Sequence, residues 1–221
     1  MVRDVWPYLA AGLALTLLLA LTVSAPAAAA AALVTAAVAS FFRDPRRRIP
    51  QDPALILSPA DGRVVKIAPG REGAPDAGRC VSIFLSVFNV HVNRSPARGT
   101  ISSIRYTPGS FLPAFRDKAS DLNEQNLLVL DTERGVLQVK QIAGLIARRI
   151  RCYKRAGEPV GQGEKIGFIT FGSRVDLMVP AEAELRVTVG DRVKGGTSII
   201  AVYGGIPPVR SADSVEEGRR A

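Results

Sequence analysis

The sequence predicts a mostly β domain of the α+β class, preceded by an anchor of one or two apolar helices. Glycine and proline recur at short intervals between Ile49 and Pro207, and the short apolar or alternating segments between them are typical of β-strands joined by turns. That span is long enough for one well-buried core. Ahead of it, no charged residue occurs from Val5 to Phe42, and such a segment suits a lipid environment.

The uncharged run is divided by Pro26. Val5–Ser24 is rich in leucine and long enough to cross a bilayer as one helix, whereas Ala27–Phe42 is richer in alanine and shorter. We interpret residues 1–42 as a membrane anchor, either a hairpin of two helices or one spanning helix followed by a shallow segment. A cleaved signal peptide is a further alternative, because small residues surround Ser24.

Positive charge follows the apolar run, at Arg43 and at Arg46-Arg47-Arg48. Such charge predicts that the domain after it lies on the cytoplasmic side of the cell membrane. The whole chain has a formal charge of +9 and a pI near 10.1, which favours an anionic partner. The remaining cations are scattered and no nucleic-acid recognition motif accompanies them, so an acidic membrane surface is the expected partner, with no nucleic acid.

The strand predictions fall on segments between turn residues. They are Arg63–Ile67, Cys80–Val87, Leu127–Asp131, Val136–Gln141, Lys165–Thr170, Val175–Val179, Glu184–Val189 and Ser198–Tyr203. A short basic helix is predicted at Ala143–Arg151, and the region around Pro113–Leu122 is a weaker helical candidate. This domain is expected to span residues 43–207, followed by a flexible charged tail at 208–221.

Two segments have a similar pattern of glycine, acid and valine: Gly157–Gly167 and Val189–Ile199. They resemble the hairpins of biotinyl- and lipoyl-type domains, which implies a barrel-sandwich-like β fold.

The chain contains two cysteines, Cys80 and Cys152, and one histidine, His91. Two cysteines suggest neither a disulfide framework nor a zinc site, and no metal is expected. A single histidine excludes any mechanism that needs two imidazoles from one chain.

Four short segments together carry the functional prediction. They are Ser58-Pro-Ala-Asp-Gly62, Phe88-Asn-Val-His-Val-Asn-Arg-Ser-Pro96, Asn123-Glu-Gln-Asn126 and Gly172-Ser-Arg174. Together they resemble the phosphatidylserine decarboxylase family, in its short, membrane-anchored form, over about Phe41 to Tyr203. The resemblance implies a carboxy-lyase that converts phosphatidylserine to phosphatidylethanolamine and CO2. It also implies that the enzyme makes its own pyruvoyl cofactor from Ser173, and that this group forms a Schiff base with the substrate amine.

In the maturation that the resemblance implies, the Ser173 hydroxyl attacks the Gly172 carbonyl. The products are a long chain, 1–172, and a short chain, 173–221, which begins with the pyruvoyl group and pairs with the long chain as a heterodimer. A serine hydroxyl near neutral pH needs a base, and His91 is the only imidazole. The resemblance assigns Asp61 to orienting that histidine.

One position departs from the family's pattern. Long-form members carry two histidines three residues apart, and Arg94 stands where the second would be. His91 therefore serves both self-cleavage and decarboxylation, or Asp61 drives maturation with other help.

The substrate contacts predicted here are Asn123, Glu124 and Arg174, and the lipid phosphate adds Arg105 and Lys118 as candidates. Apolar walls around the site would come from phenylalanines, namely Phe84, Phe88, Phe111 and Phe115.

Three other functions stay open. Archaetidylserine, an ether lipid with the same headgroup, is an alternative substrate. A pyruvoyl decarboxylase acting on a soluble amino acid is another alternative. A non-enzymatic, membrane-anchored adaptor would suit the biotinyl-like hairpins, but it has no need for the Gly172-Ser173 pair. Further oligomerisation is left open.

Overall fold

The computed structural model describes residues 2, 5–70, 78–110, 122–144, 149–170 and 172–204. In these residues two helices precede fourteen strands. The helices are α1 (Trp6–Thr22) and α2 (Ala25–Phe41). The strands are β1 (Leu55–Leu57), β2 (Gly62–Pro69), β3 (Arg79–Leu85), β4 (Val92–Arg94), β5 (Gly99–Thr107), β6 (Gln125–Thr132), β7 (Gly135–Ile142), β8 (Ile150–Cys152), β9 (Pro159–Val160), β10 (Lys165–Ile169), β11 (Ser173–Val179), β12 (Ala183–Leu185), β13 (Arg192–Val193) and β14 (Ile199–Tyr203).

The two helices form a hairpin. The chain breaks at Ser24, whose side chain caps α2 by accepting from the Ala27 amide, and Pro26 lies in the first turn, where a helix tolerates proline. The helices approach closely where Gly12 faces Thr35, since a Cβ at Gly12 would lie 2.4 Å from the threonine hydroxyl. Within the described ranges, neither helix combines the length and the apolarity that crossing a bilayer requires.

The strands form three sheets, and the pairs between neighbouring strands are antiparallel. The largest has the order β13-β2-β3-β11-β7-β6-β5-β9, and the two small ones have the orders β1-β14-β12 and β4-β10-β8. One apolar core draws on all three sheets, with buried side chains such as Ile56, Val139, Ile166 and Leu177. The mostly β prediction is therefore confirmed.

Each predicted strand segment contains a strand, although β12 is shorter than predicted. The nine-residue β5 was not predicted, because among its residues only Ile101 is buried and its polar residues give no apolar alternation. The prediction of a helix at Ala143–Arg151 is wrong for its last two residues, Ile150 and Arg151. Ile150–Cys152 forms β8 instead, because its backbone hydrogen-bonds to β10, and pairing of this kind overrides the weak propensity of a short basic segment.

The two segments that resemble biotinyl-type hairpins do not have flanking strands that pair with one another. In the described part of the chain, β9 pairs with β5 while β10 pairs with β4 and β8. Similarly, β13 pairs with β2 while β14 pairs with β1 and β12. The biotinyl-like architecture therefore remains a prediction.

Two Ser-Pro-Ala segments, beginning at Ser58 and Ser95, have matching environments. Each serine hydroxyl donates to the carbonyl two residues ahead, at 2.7 Å. Each serine carbonyl accepts from a glycine amide, that of Gly196 for Ser58 and that of Gly163 for Ser95. Each glycine-rich segment is thus held against one Ser-Pro-Ala turn. Asp61 follows the turn that begins at Ser58, and the turn that begins at Ser95 lies at the end of the histidine motif.

A second, smaller apolar cluster joins the hairpin to the β domain. Its buried members are Val5, Phe41, Phe42, Val90, Val92 and Phe168. They come from the ends of the hairpin and from β4, β10 and the segment before β4, so the hairpin packs directly beside the histidine motif.

Candidate active site

Ser173 is the first residue of β11, which lies inside the large sheet between β3 and β7. The residue is fully buried, and it pairs with Leu85 of β3. Its hydroxyl is one of two buried side-chain polar groups that lack a hydrogen-bond partner among the described residues. A buried hydroxyl without a partner is costly, and such groups are found where a protein reserves them for chemistry.

The residue before it, Gly172, has a φ of +62°. That left-handed conformation disfavours any residue with a Cβ by about 1–2 kcal/mol. Among the described residues other than its chain neighbours, none has an atom within 4 Å of the place that a Cβ would take, so backbone conformation rather than crowding calls for glycine here. The turn directs the Gly172 amide at the Nε2 atom of His91, 3.3 Å away.

His91 is buried, and both of its ring nitrogens have backbone partners. Nδ1 lies 2.9 Å from the Asn89 carbonyl, which can only accept, so Nδ1 carries the proton. Nε2 faces the Gly172 amide, which can only donate, so Nε2 has a free electron pair. The ring is therefore neutral in this structure. Burial lowers the pKa of His91 from 6.5 to about 4, with a smaller contribution from Arg43.

The imidazole also contacts an aromatic ring from the hairpin. The ring centroids of Phe41 and His91 are 4.4 Å apart, and Phe41 meets Phe168 edge to face at 5.8 Å. Phe41 and Phe168 were not among the site residues predicted from the sequence. An aromatic pair, Phe41-Phe42, between an apolar run and an arginine cluster was the available signal.

Among the predicted wall residues, Phe88 does not form a wall, because 83% of its side chain is exposed. It lies in a turn at Ser86–Asn89 whose hydrogen bonds direct the aromatic ring outward. Phe84 is half-buried on β3. Phe111 and Phe115 lie outside the described residues.

Asp61 lies in an ionic contact with a different partner from the one predicted. Its carboxylate accepts two bonds from Arg47, at 2.8 and 3.0 Å, and one from the Gly195 amide at 2.8 Å. The described contacts of His91 instead orient its ring through Asn89 and Gly172. Asp61 thus holds the segment after the hairpin against the β domain.

Arg94, at the position of the second family histidine, is buried and paired. Its guanidinium donates to Asp44 at 2.8 Å and to the Gly163 carbonyl at 3.0 Å. An arginine does not lose its proton in proteins, so it cannot replace a histidine as a base. Its contacts make it a clamp on the segment after the hairpin, to which Lys165 adds a further ion pair with Asp44.

The predicted substrate contacts have structural partners. The Asn123 side-chain amide donates to the Ala143 carbonyl at 2.7 Å. Glu124 is buried, and its backbone carbonyl accepts from the Ala143 amide at 2.9 Å. Arg174 is buried and pairs with Asp176 at 2.7 Å, with a further bond to Ser82. Of the phosphate candidates, Arg105 is exposed on β5 and Lys118 lies outside the described residues.

A chain of buried amides links the Asn123–Asn126 segment to the histidine motif. Asn126 donates to Gln141 at 3.0 Å, and Gln141 donates to Asn93 at 2.7 Å. The Nδ2 atom of Asn93 is the other buried polar atom without a partner among the described residues. This chain fixes β4 against β7 and thereby the backbone that carries His91.

Both cysteines are free thiols, and burial raises the pKa of Cys80 to about 11. In the part of the chain that the structure describes, no cluster of three or more His, Cys, Asp or Glu side chains could hold a metal ion.

Comparison with known proteins decides the family. The family model for phosphatidylserine decarboxylase matches residues 34–201. The chain belongs to the phosphatidylserine decarboxylase family. Its relatives include proteins named phosphatidylserine decarboxylase proenzyme from Burkholderia lata, at 43% identity, and from Burkholderia vietnamiensis and Burkholderia cenocepacia, each at 44% identity. Each of these alignments covers 90% of this chain and 94% of the relative. The matched residues contain the histidine motif, the Ser173 turn and the whole β4-β10-β8 sheet.

Proposed function

We propose that this chain is a phosphatidylserine decarboxylase that first cuts itself between Gly172 and Ser173. One observation carries the proposal: the buried hydroxyl of Ser173, which has no partner among the described residues, follows a left-handed glycine whose amide contacts a neutral imidazole. Family membership supports the reaction, because the relatives are named for this activity and as proenzymes.

Self-cleavage would begin when the Ser173 hydroxyl attacks the Gly172 carbonyl carbon. The C–N bond breaks, an ester forms, and the Ser173 amine is freed. Loss of the Ser173 Cα proton then expels the Gly172 carboxylate from Cβ. Addition of water and release of ammonia leave a pyruvoyl group at the start of the short chain, so that atoms balance without an oxidant.

His91 is suited to the base role in the uncut chain. Its Nε2 atom has a free electron pair and is directed at the residue before Ser173. Burial lowers the pKa of His91 to about 4, so the ring is neutral at pH 7 but is a weaker base than a free imidazole. The position of Nε2, rather than its basicity, therefore suits His91 to this role. After the cut, the same nitrogen is the available imidazole atom for returning a proton to the substrate Cα. The single histidine would thus serve both stages, while Asp61 holds the segment after the hairpin through its ion pair with Arg47.

The residues around Ser173 fit a covalent electron sink. A pyruvoyl carbonyl supplies that sink for decarboxylation of an amine-bearing substrate. Ser173 is the first residue of β11. Phe41 and Phe168 keep water from the neighbouring imidazole of His91. A low-polarity site of this kind favours the loss of a carboxylate charge.

We further propose attachment to the cell membrane, with the β domain on the cytoplasmic side. The hairpin exposes large apolar side chains, among them Leu13, Leu17, Leu21 and Leu33, and a contiguous apolar surface marks a membrane or protein contact. Arg46 and Arg48 are exposed after it, whereas Arg43 and Arg47 have contacts within the protein. Phe88 projects beside the same end of the hairpin, because Arg43 donates to its carbonyl. This surface would bring the site to an anionic lipid headgroup, and ether and diacyl lipids share that headgroup.

The test of the activity uses purified protein and phosphatidylserine labelled at the headgroup carboxyl. Labelled CO2 and phosphatidylethanolamine are expected from the wild type and from Ser103→Ala, which changes an exposed serine on β5. Ser173→Ala should yield neither product. A cleaved wild-type protein that releases no labelled CO2 would contradict the assigned substrate.

The test of the membrane surface is flotation with vesicles of phosphatidylserine and phosphatidylcholine. Phe88→Ala should weaken binding relative to Tyr106→Ala, since Tyr106 is an exposed aromatic on β5. Equal binding by both variants would remove the Phe88 turn from the membrane surface.

A further inference from the structure

The end of the N-terminal hairpin lies against the proposed catalytic base. Phe41 is the last residue of α2 and is buried, and its ring is tilted by 43° against the His91 ring at a centroid distance of 4.4 Å. We propose that Phe41 is a positioning residue for His91, so that the hairpin forms part of the active site as well as the membrane surface. This inference rests on the proposed function only in taking His91 as the base.

Phe41 is itself held in place on two sides. Its ring meets Phe42 edge to face at 5.3 Å and Phe168 edge to face at 5.8 Å. Phe42 in turn stacks on Phe168 at 5.5 Å, without a ring contact to His91 among the described residues. The two neighbouring phenylalanines therefore share one cluster, and Phe41 is the one that contacts the imidazole.

The residues after Phe41 hold the rest of the histidine's surroundings. Arg43 donates to the Phe88 carbonyl and to the Ser40 carbonyl, and the residue after Phe88 supplies the carbonyl that accepts from His91 Nδ1. Arg43 is also the charged group that acts on the imidazole. In the described residues that surround the ring on β4, β10 and β11, the contacts are backbone or apolar.

The geometry has a direct chemical consequence. The hydrogen bond from Nδ1 to the Asn89 carbonyl does not by itself stop the imidazole from tilting. Phe41 packs against one face of the imidazole and restricts that tilt. Nε2 is thereby kept on the Gly172 turn, and water is kept from the ring. Removing the Phe41 ring should both loosen the imidazole and make its charged form less costly.

The experiment uses the fact that the chain has a single histidine. Nitrogen NMR of histidine-labelled protein reports the pKa and the tautomer of His91 directly, in a Ser173→Ala background that keeps the chain uncut. The matched variants are Phe41→Leu and Phe42→Leu. Each removes one phenyl ring from the same apolar cluster.

Phe41→Leu should raise the pKa of His91 from about 4 toward its ordinary value of 6.5 and increase exchange between tautomers, whereas Phe42→Leu should leave both near the parent values. In the cleavable protein, Phe41→Leu should slow the cut by about 10-fold relative to Phe42→Leu. An unchanged pKa and tautomer in Phe41→Leu, or equal changes in both variants, would overturn the proposal.

Phe41→Met provides the same comparison if the leucine variant does not fold, because methionine fills irregular space. The NMR measurement needs no decarboxylase activity. Failure of the assigned substrate would therefore leave the Phe41 result intact, and failure of the Phe41 result would leave the decarboxylase assay intact.

Discussion

Replacing His91 with glutamine in the uncut Ser173→Ala protein should remove a loss of stability at acidic pH. His91 is buried without an oppositely charged partner among the described residues, and burial lowers its pKa to about 4 in the folded chain. In the unfolded chain the imidazole has its ordinary pKa of 6.5. Between these values the unfolded state binds the extra proton, so the free energy of unfolding falls as the pH falls.

The size of the effect follows from the two pKa values. One pKa unit corresponds to about 1.4 kcal/mol, so the full difference corresponds to about 3 kcal/mol below about pH 4. At about pH 4.5 the loss is about 2.5 kcal/mol, at about pH 6.5 it is about 0.4 kcal/mol, and at about pH 7.5 it is negligible. Carboxylates add their own pH dependence at the acidic end, but this cancels when the two proteins are compared at the same pH.

The assay is urea unfolding followed by circular dichroism, at about pH 4.5 and about pH 7.5. The change in unfolding free energy between the two pH values should be smaller by about 2.5 kcal/mol when glutamine replaces His91. Equal pH dependence in the two proteins would mean that His91 keeps its ordinary pKa when folded, and would contradict the claim that burial lowers that pKa.

Three other predictions concern the turn, the clamp and the cut chain. Gly172→Ala and Gly157→Ala each place a Cβ at a positive φ, with no contact within 4 Å among the described residues beyond the chain neighbours. Each variant should lose about 1 kcal/mol of stability, but only Gly172→Ala should slow self-cleavage on a gel. Equal slowing by both variants would mean that the conformation of Gly172 has no specific role in the cut. Asp44→Ala leaves the buried guanidinium of Arg94 without its carboxylate and should cost about 3 kcal/mol in urea unfolding. Glu184→Ala, in an exposed pair, should change stability by less than about 1 kcal/mol, and a similar cost for both would refute the clamp. After cleavage the two chains should elute together in native buffer and separate only in denaturant, because β11 hydrogen-bonds to β3 and β7 on either side; separation in native buffer would contradict this.

The strands with apolar or alternating residues were predictable from the sequence, because burial of one face leaves a pattern that can be read locally. Strand β5 was not, since its partners on both sides satisfy its backbone while its side chains remain largely exposed. Strand β8 was likewise fixed by pairing with β10 rather than by its own basic sequence.

The site was predictable in its parts and not in its contacts. The resemblance to the family's motifs identified Gly172, Ser173 and His91, which the structure brings together. The partner of His91 could not be read from the sequence, because it is a backbone carbonyl two residues away and carries no residue identity. The role of Phe41 also needed the fold, since its contact with His91 depends on how the hairpin packs on β4 and β10.

The most direct test of the account is the intact mass of the purified protein. Self-cleavage should give two chains cut after Gly172. The short chain of residues 173–221 should be lighter by the mass of one ammonia than the same chain beginning with an unmodified serine. We also predict no free amino terminus on that chain, and a single whole chain for Ser173→Ala. A wild-type protein that stays whole, or a Ser173→Ala protein that is still cut at the same bond, would contradict the central claim.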